Sequence, residues 1–223
     1  IKCYKYRNGV FGTDKSDDIN MGLSSDEFAE REKVYAIPGD FLGNGSTQFM
    51  MVVANNYLGV FSIGGVTVNI GYSKKVYLTD INGNGKQELM CMTDNTTNFY
   101  EYSKLSNSFV KIYSTDKFHH KDKIHIGDFN GDGNTDILRQ EYIRSYGYWS
   151  IWRSTGTSLF DIGIDKKVIP NDNTVKLMLL DINQDGKTDI LVKYPNYYDS
   201  GYFPQIKDYS MKLLLSVGNT FVN

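Results

Sequence analysis

Nine-residue stretches rich in side-chain oxygen carry the most specific chemistry in this sequence. In DFNGDGNTD, residues 128–136, oxygen-bearing side chains stand at positions 1, 3, 5 and 9: Asp128, Asn130, Asp132 and Asp136. Asn134 at position 7 offers its backbone carbonyl. Gly133 at position 6 falls where the backbone must turn sharply, a place that often requires positive φ. Hard oxygen donors wrapped around a tight turn suit Ca²⁺, which takes about 6–8 oxygens at roughly 2.3–2.6 Å. Mg²⁺ holds on to its waters and suits the loop less. Zinc would call for Cys or His, and the loop has neither.

The scheme recurs with graded quality. DINQDGKTD supplies Asp181, Asn183, Asp185 and Asp189, with the Lys187 carbonyl at position 7. DINGNGKQE is softer: Asp80, Asn82, Asn84 and Glu88, with the Lys86 carbonyl. Two carboxylates in place of three predict weaker binding, because affinity follows ligand charge. In DFLGNGSTQ, residues 40–48, Leu42 replaces an oxygen ligand and Gln48 replaces the closing carboxylate, so this loop is expected to hold its turn without metal. The expected load is two to three calcium ions. The plain alternative is a set of Asx-type turns without an ion. An EF-hand is disfavoured, because its position 12 needs a bidentate Glu and here holds Arg139 or Val192. Extracellular calcium modules bind at about 10⁻⁴–10⁻³ M, and the loops therefore predict a secreted or cell-surface location.

The elements that must position these loops are short strands. The leading aspartates Asp40, Asp80, Asp128 and Asp181 are spaced by 40, 48 and 53 residues, the period of a four-stranded propeller blade. After each loop comes an apolar strand, and then a hairpin pattern such as LGVFSIGGVTVNI or YWSIWRSTGTSLFDI. IKCYKYRNGVFG at the start reads as one more such hairpin. The prediction is an all-β propeller, with four four-stranded blades plus a half blade, in a single domain or propeller fragment spanning 1–223. The loops are placed at 40–48, 80–88, 128–136 and 180–189. Residues 13–38 read as a surface insertion, in which Ser24 and Glu27 form a capping box opening a short helix.

Composition agrees. Tyr (17) and Gly (21) are plentiful and Pro (4) is scarce, which favours pleated strands joined by tight turns. A net charge of −2 argues against a nucleic-acid partner, and no apolar run is long enough for membrane insertion. The chain opens on Ile1, without Met or a signal-peptide pattern, and so reads as a processed or excised segment. Cys3 and Cys91 are a disulfide pair or two buried thiols, with thiols favoured.

GDFNGDGNTDIL and LDINQDGKTDILV resemble the FG-GAP, or VCBS-type, calcium-loop repeat of integrin-α-like and bacterial secreted-protein propellers. TDINGNGKQELM resembles it less closely, and GDFLGNGSTQFM only in outline. WSIWRSTGTSLF and LLLSVGNTF are similar to the strand and S-x-G-x-x-F continuation of bacterial repeats, including those attached to secreted toxin complexes and to polysaccharide-acting enzymes. The resemblance implies that each loop joins the two inner strands of a blade. It also implies a seven-bladed ring, of which about four and a half blades are visible here.

No nucleophile elbow, zinc-protease helix or P-loop motif is present, and the segment is expected to be non-catalytic. His119, His120 and His125 read as a solvated turn without ligand partners. The Tyr-rich stretch 193–205 reads as an exposed loop suited to sugar or protein, against a plain packing role. The expected function is adhesion or scaffolding for a protein or glycan ligand, or for other domains of the same parent protein. The alternative is a carbohydrate-binding propeller or the propeller of a polysaccharide-acting enzyme.

Overall fold

The computed structural model describes residues 4–7, 10–13, 33–54, 58–63, 66–142, 148–164, 168–172, 174–198, 205–218 and 220–222. Among these every regular element is a strand. A hairpin of β1 (Tyr4–Arg7) and β2 (Val10–Thr13) comes first. Four four-stranded sheets follow, each an antiparallel meander in which every strand pairs with its sequence neighbour. The first blade is β3 (Lys33–Gly39), β4 (Gln48–Ala54), β5 (Leu58–Ile63) and β6 (Val66–Tyr72). The second is β7 (Lys75–Thr79), β8 (Glu88–Met92), β9 (Thr97–Ser103) and β10 (Ser108–Thr115). The third is β11 (Lys123–Gly127), β12 (Asp136–Gln140), β13 (Trp149–Ser154) and β14 (Leu159–Asp161). The fourth is β15 (Lys176–Leu180), β16 (Asp189–Tyr197), β17 (Ile206–Ser216) and β18 (Phe221–Val222). The chain is thus a β-propeller array of four blades and a half blade.

The predicted insertion at 13–38 is corrected at both ends, since Thr13 closes β2 and Lys33–Gly39 form β3. The helix expected over SDEFAEREK lies outside the described residues. Lys193–Tyr197 belong to β16 and not to a loop, so the Tyr-rich stretch begins as a strand.

The core lies between blades. Phe41, Met50, Leu89, Cys91 and Tyr102 join the first blade to the second. Ile81, Met90, Met92, Phe99, Ile124 and Ile137 join the second to the third. Phe129, Leu138, Trp149, Ile190, Val192 and Leu214 join the third to the fourth. The second strand of a blade meets neighbours on both faces, and ELMCM in β8 is accordingly buried at all five positions. Alternation of apolar and polar residues fails there for that reason. Burying each large apolar side chain contributes about 1.5–3 kcal/mol relative to exposure. Cys91 is a free thiol in this core, its pKa pushed up to about 12 by burial, while Cys3 lies outside the described residues.

The position-2 residue of each loop shows where a neighbour is present. Phe41, Ile81 and Phe129 are 0–1% exposed beneath the following blade, whereas Ile182 in the fourth blade is 49% exposed. No helix among the described residues is long and apolar enough to cross a membrane.

Candidate metal centres in the blade loops

In every blade the residue before the leading aspartate pairs with position 9: Gly39 with Gln48, Thr79 with Glu88, Gly127 with Asp136, Leu180 with Asp189. The loop therefore closes the inner hairpin, as the resemblance implied. Within it the backbone folds back onto the position-1 carboxylate. Asp128 Oδ1 accepts the N–H groups of Gly131 (2.7 Å) and Asp132 (3.2 Å), and its Oδ2 that of Gly133 (2.8 Å). Asp80 holds Asn84 and Gly85 in the same way, and Asp181 holds Asp185 and Gly186. Positions 3 and 5 turn inward too: Asn130 Oδ1 accepts from Asp132 N at 3.1 Å, and Asp132 Oδ1 from Asn134 N at 2.8 Å. The path needs positive φ at two places. Position 6 was expected, and Gly45, Gly85, Gly133 and Gly186 have φ of 75°, 80°, 83° and 81°. Position 4 was not expected: Gly43, Gly83, Gly131 and Gln184 have φ of 62°, 65°, 77° and 59°.

The position-9 residue has a task that spacing alone did not reveal. Asp136 and Asp189 are fully buried, and each clasps two backbone groups. Asp136 accepts from Phe129 N (3.1 Å) and Ser154 N (2.9 Å), and Asp189 from Ile182 N (3.0 Å) and Ser216 N (2.8 Å). These are the serines of the two S-x-G motifs. Their hydroxyls donate to the position-2 carbonyls of the preceding blade, Ser154 to Ile81 and Ser216 to Phe129. One serine thus joins its own loop to the neighbouring one.

Successive loops are also nested directly. The position-1 carbonyl accepts the position-8 N–H of the next loop: Asp40 from Gln87 (3.0 Å), Asp80 from Thr135 (2.7 Å), Asp128 from Thr188 (2.7 Å). Loop geometry and blade packing are therefore one structure.

The second loop departs from this plan. Glu88 Oε2 accepts from Ile81 N at 2.8 Å, but its Oε1 is buried with no hydrogen-bond partner. Burial, with Asp80 and Glu101 nearby, raises the Glu88 pKa to about 8. Burial also raises Asp136 to about 6, against the pull of its two N–H partners. Glu101 on β9, which the spacing could not identify, accepts from Asn82 Nδ2 (2.9 Å), Asn84 Nδ2 (2.7 Å) and Lys86 Nζ (2.8 Å).

The donor set fits a hard cation in chemistry: positions 1, 3 and 5 turn oxygens inward, and Glu88 leaves a buried oxygen unpartnered. The Asp136 and Asp189 carboxylates are spent on the clasp, although each oxygen keeps a second lone pair. Among the described residues one trio of His, Cys, Asp or Glu side chains brings ligand atoms within 4.8 Å of one another, and it is Asp94, His119 and His120. The loop carboxylates form no such trio. The histidines are thereby corrected as well. His119 and His120 are half-buried beside a carboxylate, and His125 sits in β11 and not in a turn.

A cavity of about 670 Å³ lies where β11 meets the start of β15, at the strand ends away from the loops. Lys123, Lys176, Lys193, His125 and Tyr209 line it, with no carboxylate among its described lining residues.

Fold and site together define the class: a propeller-type binding module whose blades each open with an oxygen-rich loop. Residues 80–139 match the family model for FG-GAP-like repeats, and residues 174–203 match that for FG-GAP repeats. The chain carries FG-GAP-type repeats. No curated protein matches it. Such repeats are common in extracellular and surface proteins and are generally non-catalytic.

Proposed function

We propose that this chain is a calcium-stabilised, non-catalytic binding or scaffolding module of a larger secreted or cell-surface protein. The observation that carries the reading is the contrast among loops. In the first, the Gln48 amide occupies the centre, its Nε2 donating to the Ser46 carbonyl and, at 3.5 Å, to Asn44 Oδ1. Those are the position-7 and position-5 oxygens. The other three loops carry a carboxylate at position 9, and a cation supplies there what the amide supplies in the first. Asp128, Asn130, Asp132 and the Asn134 carbonyl would hold one ion. Asp181, Asn183, Asp185 and the Lys187 carbonyl would hold another. Asp80, Asn82, Asn84 and the Lys86 carbonyl form the weaker site. Asp136, Asp189 and Glu88 close each from the strand side. Metal binding then becomes folding energy, because the loops also bind blade to blade.

The lysine-lined cavity and the exposed Tyr197, Tyr198 and Tyr209 give a binding surface for a protein or glycan ligand bearing negative charge. The test of the calcium reading is a thermal melt with calcium and with chelator, beside elemental analysis. A calcium-dependent rise in Tm with two to three ions per chain supports it. No bound metal and no shift would reduce the loops to plain turns.

A further inference from the structure

We propose that Asp94, His119 and His120 form a zinc site that pins the second blade to the connection leading into the third. Asp94 lies in the turn between β8 and β9, and the two histidines lie in the segment between β10 and β11. They are about 25 residues apart in the chain, so no spacing motif joins them, and the fold alone makes them neighbours. Their ligand atoms all lie within 4.8 Å of one another. The rings of His119 and His120 are 4.3 Å apart between centroids.

The closest contact is the informative one. His120 Nδ1 is buried 3.2 Å from Asp94 Oδ1, an ion pair when the imidazole is protonated, and makes no hydrogen bond of good geometry. A nitrogen and an oxygen at that distance match the edge of a tetrahedral zinc site. Zn–N and Zn–O bonds of about 2.0–2.2 Å place neighbouring ligands roughly 3.3 Å apart. Two imidazoles and a carboxylate form a borderline donor set suited to Zn²⁺ and poorly suited to Ca²⁺, with a fourth position left for water. This site is therefore distinct from the loops in both ligand chemistry and place, standing at the opposite ends of the strands.

Two contacts set its strength. The Lys74 ammonium pairs with Asp94 Oδ1 and competes with a cation for that carboxylate. His119 Nδ1 accepts the Lys121 N–H at 3.1 Å, and coordination through Nδ1 exchanges that amide for the ion. Both make the site moderate in affinity, filled at micromolar and not at nanomolar zinc. Removing Lys74 should therefore tighten it, an outcome that casual adsorption of zinc to surface histidines would not produce.

The experiment is zinc titration of the tag-free chain by calorimetry in excess calcium, which keeps the loops saturated, with Co²⁺ absorption as a second readout. One zinc per chain is expected, with a tetrahedral cobalt spectrum and a Tm raised by zinc. His120→Ala and Asp94→Asn should each weaken binding at least tenfold, and Lys74→Ala should tighten it several-fold. Far-UV circular dichroism of the variants, unchanged, shows that folding is intact. The proposal is overturned by no zinc uptake at about 100 µM, well above the sub-micromolar range of structural zinc sites, by affinity indifferent to His120→Ala, or by an octahedral cobalt spectrum. A zinc site that persists when calcium is withdrawn leaves it standing even if the loops prove metal-free.

Discussion

The first loop and the third follow one backbone path and differ at the centre. Both fold back onto a leading aspartate, both have glycines with positive φ at positions 4 and 6, and both nest against the next blade. In the third, Asp136 faces inward with a full charge to accommodate. In the first, Gln48 has the same acceptor, taking the N–H groups of Phe41 (2.8 Å) and Leu42 (3.1 Å), together with an amide that satisfies the loop's own oxygens. The position-9 side chain, with Leu42 in place of Asn130 and Asn44 in place of Asp132, separates a loop whose oxygens are satisfied from within from one that gathers more carboxylate. The turn is thus the shared element, and the metal binding proposed above would be a property added to it.

The sharpest way to break the comparison is to remove the position-9 acceptor, which in both loops takes the position-2 N–H. Asp136→Ala leaves the Phe129 and Ser154 N–H groups buried without an acceptor, at about 1–3 kcal/mol each. Unfolding in urea, with chelator present so that ion loss plays no part, should show a loss of about 2–5 kcal/mol. A loss under about 1 kcal/mol would mean that position 9 serves metal alone. Gln48→Ala should cost less, because the Phe41 and Leu42 N–H groups it leaves bare are only part-buried and the two oxygens are exposed to water.

Glu88 tests the same idea by titration. Its folded-state pKa, about 8, stands above the ordinary 4.5, with burial as the main cause. The folded chain therefore holds a proton that the unfolded chain releases. That contribution is fully present below about pH 4.5 and is lost as pH rises through about 8. In chelator, stability should fall across this window, and Glu88→Gln should flatten the fall by placing an amide where the first loop has one. The difference between wild type and variant isolates the residue from His125, whose burial and Lys123 neighbour depress its pKa and give an opposite slope. Identical pH profiles for the two proteins would show that the unpartnered oxygen carries no cost.

The period of the loops and the hairpin pattern were legible in the sequence because both are local: an oxygen at every second position, and a strand on either side of a small-residue turn. From these follow four blades, a half blade and the loop positions. What stayed hidden are contacts between strands and blades distant in the chain. Position 4 looks free in DINGNGKQE, yet its glycine is needed for φ and for room against a residue about 50 positions away. The Ser154 and Ser216 contacts, the Glu101 bridge and the meeting of Asp94 with His119 and His120 are all non-local, and no spacing within one repeat encodes them. The reading of 193–205 as an exposed loop has the same origin: Tyr, Pro and Asn at 194–197 read as turn formers, yet pairing with β17 holds them extended.

The smallest effect lies at position 4 of the fourth loop. In the first three loops this glycine meets the position-7 side chain of the next blade: a Cβ would come within 2.6 Å of Lys86 Cγ at Gly43, 2.7 Å of Asn134 Oδ1 at Gly83, and 3.1 Å of Lys187 Cγ at Gly131. Gln184 takes the same left-handed conformation, φ 59°, where no following blade is described. A side chain is tolerated there because nothing presses on it, but the backbone strain of roughly 1–2 kcal/mol remains. Gln184→Gly should therefore stabilise the chain by about 0.5–1 kcal/mol, after the added entropy of glycine in the unfolded state is subtracted. Gly83→Ala should destabilise it, since there strain and crowding act together. Equal effects at the two positions would show that backbone conformation alone, and not the neighbouring blade, sets the demand for glycine.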